Sequence, residues 1–281
     1  MTPNSMSALL LCARQERTLA VRSRSAQIFA AVFAALALAV ASSGYALSGG
    51  HGVEDFARTA ASLVQLVLLL VPLTCLVIGV LALSPERGAA EMLFSQPVAR
   101  RTILLGKVLG LFEALAGAQA VGFGAAGIVI FSQAGGDGLG GFALLVLSSL
   151  VLTAIFLGIA ALVGAGAAGR RRARALAFAL VVWFAAAVLL DVLALGVASL
   201  LPSGPASRVL IAEAVLNPVA AVRTGALLGI EGVAAFGAAS LALLRFARGA
   251  GGAAALLTTS VVAWALLPIA LASRRIERAD V

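Results

Sequence analysis

Long apolar segments alternate with short polar interruptions along the whole chain. Six of these segments, at about residues 25–47, 60–83, 102–131, 140–167, 175–200 and 253–273, are predicted transmembrane spans. Each is long enough, because about 20 consecutive apolar residues cross the hydrocarbon core of a bilayer. The pattern therefore predicts an all-α polytopic membrane protein with six transmembrane helices.

One further segment, Thr224–Leu244, is apolar enough to be a seventh span. However, Glu231 lies near its middle, and four glycines interrupt it: Gly225, Gly229, Gly232 and Gly237. The sequence therefore leaves open whether this segment crosses the membrane. Otherwise residues 202–252 are predicted to be an external region with short helices between spans five and six. One of these helices should begin at Asn217–Pro218, because asparagine is a good N-cap and proline suits the first helical position.

Residues 1–24 precede the first span and mix apolar with basic positions. Within Ser7–Val21, Leu9 and Leu10 lie close to Arg14 and Arg17. This pattern favours a cytoplasmic amphipathic helix along the inner membrane surface, and a simple basic flank is the alternative. A secretory signal peptide is the weaker alternative, because its basic region would be long and five more spans follow.

The polar interruption between spans two and three, Ser84–Lys107, has the pattern of an ordered cytoplasmic structure and not of a loose turn. Ser84 can cap a helix that starts at Pro85, and Glu86 then lies at the positive end of the helix dipole. Pro97 should end this helix near Ser95. One face of this helix is mostly apolar, with Ala89, Met92, Leu93 and Gln96 at helical spacing.

Composition and charge agree with a membrane protein. The chain is 62% hydrophobic and 11% charged, and its mean hydropathy is +1.10. Its net charge of +8 does not indicate nucleic acid, because the basic residues lie beside the spans, as membrane orientation requires.

Basic residues also predict which side each loop faces. Of the 20 lysine and arginine residues, 15 fall on one side and 5 on the other. The larger set is Arg14, Arg17, Arg22, Arg24, Arg87, Arg100, Arg101, Lys107, Arg170, Arg171, Arg172, Arg174, Arg274, Arg275 and Arg278. The smaller set is Arg58, Arg208, Arg223, Arg245 and Arg248. Both termini are therefore predicted to be cytoplasmic.

The sequence lacks the common motifs of enzymes and metal carriers. It contains no GxxxxGK[ST] phosphate loop, no HExxH and no GxSxG. We therefore predict a non-catalytic chain without its own cofactor. Its one histidine, His51, is predicted to be solvated in a short loop, and Cys12 and Cys75 match no metal or disulfide pattern. Met1, Met6 and Met92 all fall on the cytoplasmic side, so no relay of soft copper ligands through the membrane is expected.

A few polar residues lie inside the predicted spans. Glu113 and Asp191 are the two acids among them, and they are candidates for a transport path because an ionisable group at that depth is costly. The alternative is that each is protonated or bonded to a neighbouring span, as could also hold for Gln65 and Gln119. Span three also carries a small-residue face that could admit another helix closely: Gly106, Gly110, Ala114, Ala118, Gly122 and Ala126.

The segment ERGAAEMLFSQPVARRTILLGK, residues 86–107, resembles the first cytoplasmic loop of ABC-2 type transporter permeases. Ala89 stands where that family usually has threonine. The resemblance implies that this loop carries the coupling helix that docks on the ATPase. It assigns Glu86, Arg87, Glu91, Met92, Leu93 and Phe94 to that contact.

The resemblance also implies partners and location. We expect a homodimer in the bacterial inner membrane with a separate ABC ATPase subunit, which would hold ATP and Mg. The segments LNPVAAVR and WFAAAVLLD resemble the nitrous-oxide-reductase maturation branch of these permeases. That branch implies a periplasmic accessory protein and a role in copper-enzyme maturation for denitrification. Since soft ligands are few, a sulfur-containing cargo is favoured over a bare metal ion.

Three other functions remain open at this point. The chain could be an ABC-2 permease for another cargo, such as a drug or a lipid. It could be an ion-coupled secondary transporter that uses Glu113 and Asp191. It could also be a membrane scaffold that transports nothing. Dependence on an ATPase would separate the first of these from the other two.

Overall fold

The computed structural model describes residues 3–46, 53–84, 98–134, 138–166, 172–232 and 243–278. Helices make up nearly all of these ranges. They are α1 (Pro3–Arg22), α2 (Arg24–Ala46), α3 (Val53–Leu83), α4 (Arg100–Ala134), α5 (Leu139–Gly166), α6 (Arg172–Phe184), a π-helical turn (Ala185–Leu189), α7 (Leu190–Ser199), α8 (Ser203–Leu216), α9 (Pro218–Glu231) and α10 (Ala250–Arg278).

The predicted six-span layout is confirmed. In the described ranges, six helical segments are long and apolar enough to cross a membrane: Arg24–Gly44, Thr59–Leu83, Arg100–Ser132, Leu139–Ala165, Ala173–Ser199 and Ala250–Arg278. Helices α8 and α9 pass the same test together but are bent by 99°, so they form either a broken span or a re-entrant hairpin.

The segment between spans five and six differs from a simple external loop. Helix α9 starts at Pro218, as predicted, but ends at Glu231, where Gly232 has a φ of +67°. Thr224–Leu244 is therefore not one continuous helix. Moreover, α9 packs against α3, α5 and α10, and its first turns are buried. It belongs to the helical bundle.

Helix α1 docks against the beginning of α4. A β-carbon at Gly106 would lie 2.6 Å from Cys12 Cβ, and one at Gly110 would lie 2.9 Å from Arg17 N. Only glycine permits so close an approach. The predicted N-terminal helix is therefore present, and part of the predicted small-residue face explains its position.

Helix α4 is longer than a bilayer requires. Its 35 residues span about 52 Å, whereas a hydrocarbon core is about 30 Å thick. The end that carries Arg100, Arg101 and Lys107 therefore extends beyond the apolar layer on the predicted cytoplasmic side, and α1 packs along this extension.

The middle of the bundle is held by aromatic packing and one buried polar cluster. Phe33 of α2 contacts Phe123 of α4 edge-on at 5.2 Å between ring centroids, and Phe123 contacts Phe142 of α5 at 6.1 Å. Gln119 of α4 donates to Thr153 Oγ1 at 2.7 Å and accepts from Ser149 Oγ at 2.5 Å. Gln119 thus bonds a neighbouring span, one of the two alternatives that the sequence left open.

We predict that Gly110→Leu displaces α1 from α4, because the new side chain would collide with the Ala13 carbonyl. Overpacking of this kind costs about 1–3 kcal/mol. Trypsin cleavage at Arg14 and Arg17 in detergent should become at least about tenfold faster, as expected when a docked segment opens freely.

Gly117→Leu is the matched control, because a β-carbon at this exposed position of the same helix meets no atom within 4 Å. It should be cleaved at the native rate. Equal rates for the two variants would contradict the docking of α1.

Candidate functional site

The predicted coupling residues Glu86, Arg87, Glu91, Met92, Leu93 and Phe94 lie outside the described residues, so their role stays a prediction. The structure describes both flanks of that segment. Helix α3 ends at Leu83 and α4 begins at Arg100. Ser84, the predicted N-cap, is buried, and its hydroxyl has no hydrogen-bond partner among the described residues.

Lys107 joins three helices directly beside this segment. Its Nζ lies 3.3 Å from the Ala82 carbonyl oxygen at the end of α3 and 3.3 Å from Glu16 Oε2 of α1. A cation is favourable at a helix C-terminus, where carbonyl groups lack partners. Glu16 is buried, so loss of Lys107 would leave a buried charge unpaired.

Glu113, a predicted transport-path residue, has a partner on α1. Arg17 Nη1 donates to Glu113 Oε2 at 3.0 Å, and both side chains are more than a third exposed. The pair lies one turn from Gly110, where α1 and α4 touch. In this structure Glu113 therefore attaches α1 to α4, and a role in transport stays a prediction.

Asp191, the second predicted transport-path residue, lies in a charged cluster with residues of the bent pair. Both terminal nitrogens of Arg223 on α9 donate to the Asp191 carboxylate. Glu213 Oε2 on α8 lies 4.0 Å from Arg223 Nη2. One guanidinium thus faces two carboxylates from two other helices, and all three side chains are largely buried.

Asn217 anchors the bend between α8 and α9. Its Oδ1 accepts from Val219 N at 3.1 Å, which confirms the predicted N-cap. Its Nδ2 donates to the Ala186 carbonyl in the π-helical turn at 2.8 Å and to Glu213 Oε1 at 3.1 Å. A fully buried amide with three partners is well satisfied, and it connects the bend to span five.

Helix α10 binds the other side of the same bend. Ser260 Oγ donates to the Val215 carbonyl, and Trp264 Nε1 donates to the Leu216 carbonyl at 3.1 Å. These carbonyls end α8, where the 99° turn leaves them without helical partners. The bend is thereby held between spans five and six.

The charged cluster lines a cavity of about 370 Å³. Its walls are mostly apolar and come from α7, α8, α9 and Leu243. The lining residues are Asp191, Ala194, Leu195, Leu210, Ile211, Glu213, Ala214, Arg223, Thr224, Leu227 and Leu243. The polar groups of the cavity are therefore concentrated at Arg223 and its two carboxylates, with the Thr224 hydroxyl beside them.

Sequence reasoning identified Asp191 and Asn217 but missed Glu213 and Arg223 as their partners. Arg223 was counted only as an outside charge. A signal was present, because Glu213 precedes Asn217 by one helical turn and Arg223 interrupts an apolar stretch. What the sequence could not supply was the 99° bend that brings both residues to Asp191.

Six apolar helices, with a bent and charged helix pair between the last two, define a multi-pass membrane protein. A family model described as ABC-2 family transporter protein matches residues 10–281. The chain belongs to this family, and it is the permease subunit of an ABC transporter.

Two curated relatives refine the comparison. One is the Probable ABC transporter permease protein NosY of Pseudomonas aeruginosa, which is 31% identical over 84% of this chain and 88% of the relative. The other is the protein of the same name from Stutzerimonas stutzeri, which is 32% identical over 78% of this chain and 81% of the relative.

The Asn217 side chain caps α9 and donates to the Ala186 carbonyl, and we predict that Asn217→Asp and Asn217→Ala affect these two contacts differently. Aspartate keeps the N-cap acceptor but cannot donate to Ala186, whereas alanine loses the cap as well. Loss of the cap alone costs about 1 kcal/mol, and a buried carbonyl left unsatisfied costs about 1–3 kcal/mol.

Both variants should unfold earlier than the native protein when heated in detergent micelles. Asn217→Ala should still form α9, because Pro218 remains in place. The backbone amides around Ala186 should exchange hydrogen faster than in the native protein. Native stability of both variants would contradict the anchoring role.

Proposed function

We propose that this chain is the permease of an ATP-driven exporter that moves a small, sulfur-containing molecule across the bacterial inner membrane. The cargo would serve assembly of the copper site of nitrous-oxide reductase in the periplasm. In this proposal a separate ABC ATPase hydrolyses ATP, two copies of the chain form the translocation unit, and a periplasmic accessory protein receives the cargo.

The observation that carries this proposal is the likeness to the two NosY permeases, which extends over most of this chain and most of each relative. The segments LNPVAAVR and WFAAAVLLD support the same branch. In the structure, these two segments meet: Asn217 of the first donates to Ala186 of the second, and Arg223 pairs with Asp191. The contact between the two segments gives a physical reason why both occur in the same chain.

The flanks of the predicted coupling segment support an ATPase contact there. Residues 85–97 connect the end of α3 to the beginning of α4, and Lys107 ties both of these helices to α1. A force applied to the segment would therefore act on three helices together. ATP-dependent closure of the ATPase pair would move this group, and the cargo path would open at the dimer axis.

The cargo is inferred from ligand chemistry. Copper(I) is best held by thiolate and thioether groups, and the three methionines of the chain are Met1, Met6 and Met92, all on the predicted cytoplasmic side. These positions favour a cargo that carries its own sulfur. Export of another small molecule is the second possibility within the same mechanism.

The coupling proposal is tested by Leu93→Asp. An anchor that fills a pocket in an interface contributes about 2 kcal/mol or more, so a buried charge at this position should release the ATPase from the detergent-purified complex. The spans should remain inserted. Ser95→Asp is the matched control, because it adds the same charge off the predicted apolar face. Unchanged ATPase co-purification with Leu93→Asp would remove the coupling contact.

The transport role of Asp191 is tested with a pair of variants. Asp191→Asn keeps the volume but leaves the charge of Arg223 without its main partner, so we expect normal ATPase binding and loss of reductase copper-site maturation. Asp191→Leu should also fail, with a lower yield of complex, because a buried cation then lacks any acceptor at this position. Full maturation with Asp191→Leu would exclude a role for this residue, and full maturation with Asp191→Asn alone would reduce it to a structural hydrogen-bonding role.

A further inference from the structure

Residues 190–216, which comprise α7, a short linker and α8, are packed less tightly than the elements around them. Ala194 is the only described residue of α7 that is buried, and α8 contributes none. In the adjoining α9, by contrast, Val219, Ala220, Ala221, Val222 and Ala226 are all buried. The two helices thus lie on the edge of a bundle to which α9 belongs.

Both ends of this segment are breaks in regular helix. The π-helical turn Ala185–Leu189 precedes α7, and the 99° bend at Asn217 follows α8. A π-helical turn widens the helix locally and is frequent at functional sites. The Asn217 side chain joins the two breaks through its 2.8 Å bond to the Ala186 carbonyl. The segment therefore starts and ends at one fixed point.

One side chain of α9 forms the ion pairs with both helices of the segment. Arg223 of α9 binds Asp191 at the start of α7 through both terminal nitrogens, and it faces Glu213 near the end of α8 at 4.0 Å. Among the ion pairs of the described residues, these are the contacts between residues 190–216 and the bundle.

Open volume lies on both sides of α8. The cavity of about 370 Å³ separates α8 from Arg223, Thr224 and Leu227 of α9. A second cavity of about 300 Å³ lies between α7 and α8, with Leu193 and Val197 on one side and Val209 and Ala212 on the other. Because open volume borders α8 on two sides, the helix can move there without displacing a close-packed neighbour.

We propose that residues 190–216 form a hinged flap over the cavity, with Arg223 as its latch. The π-helical turn and Asn217 are the hinge, and Ser260 and Trp264 hold the hinge end of α8 in place. In the closed position Arg223 binds Asp191 and attracts Glu213. Opening separates both carboxylates from Arg223, breaks the bond between Asn217 and Glu213, and increases the exposure of Thr224, which is half-buried in the closed position. This device follows from the geometry and does not depend on which cargo the protein moves.

The flap is tested by the chemical accessibility of the surface beneath it. A single cysteine, Thr224→Cys, is introduced in a background with Cys12→Ser and Cys75→Ala, and its reaction with a membrane-impermeant maleimide is timed in reconstituted vesicles. The closed flap should keep this reaction slow. Arg223→Gln should accelerate it at least about tenfold, and Arg223→Lys, which keeps the charge but not the two-pronged bond, should give an intermediate rate.

The direction of this change is diagnostic. A neighbouring guanidinium stabilises the reactive thiolate, so its removal alone would slow the reaction of the introduced thiol. An acceleration therefore reports opening. Arg208→Gln is the matched control, because it removes the same charge from an exposed position of α8 and should leave the rate unchanged. A cysteine introduced at Gly251, which is exposed at the start of α10, should react at one rate in every variant.

A second variant covers the case in which Arg223→Gln does not fold. The double substitution Asp191→Asn with Glu213→Gln keeps Arg223 and removes both carboxylates, and it should give the same acceleration at Thr224→Cys. Native labelling rates in whichever of these variants is folded would overturn the flap. Because the assay needs neither ATPase nor cargo, failure of the proposed transport function would leave this result standing.

Discussion

The structure depends above all on one constraint, which is that a backbone carbonyl freed inside a membrane must find a donor. At three irregular places in the described helices, a polar side chain from a neighbouring helix supplies that donor. Asn217 donates to Ala186 in the π-helical turn, and Trp264 donates to Leu216 at the 99° bend. Trp183 similarly donates to the Leu69 carbonyl at 3.1 Å, in the turn before Pro72. The breaks and their donors are therefore parts of one arrangement, and together they fix how spans five and six hold the bent pair.

Buried charges follow the same rule. An isolated carboxylate in an apolar layer costs several kcal/mol, and the structure gives each of the two predicted intramembrane acids an arginine from another helix. The two pairs differ in setting. Glu113 and Arg17 lie at an exposed edge where screening makes a pair weak, whereas Asp191 and Arg223 line a cavity and share it with a second carboxylate. Of the two acids, Asp191 thus has the surroundings from which a conformational change could be controlled.

Much of the fold was predictable because hydrophobic length alone fixes a transmembrane helix. The six spans, the N-terminal helix and the Asn217 cap all follow from local pattern. The charged cluster does not, because Asp191 and Arg223 are 32 residues apart and meet only through a bend that composition does not encode. The packing of α9 against α3, α5 and α10 was not predictable for a related reason, because a short apolar helix after a proline fits an external loop and a bundle helix equally well. The coupling residues 86–94 lie outside the described residues, so their assignment still rests on resemblance.

The charged contacts between helices lie at the two ends of the bundle, and the middle is tightly packed and carries no formal charge. At the predicted cytoplasmic end, Lys107 binds α1 and α3; at the opposite end, Arg223 binds α7 and faces α8. Between them, Phe33, Phe123 and the Gln119 cluster join α2, α4 and α5 without a formal charge. Charge-assisted bonds can exchange partners with little change of volume, whereas a close-packed core resists deformation. Such a division of contacts suits a permease, since a rigid middle would carry a displacement from the predicted cytoplasmic end to the charged pairs at the opposite end, where the helices can rearrange.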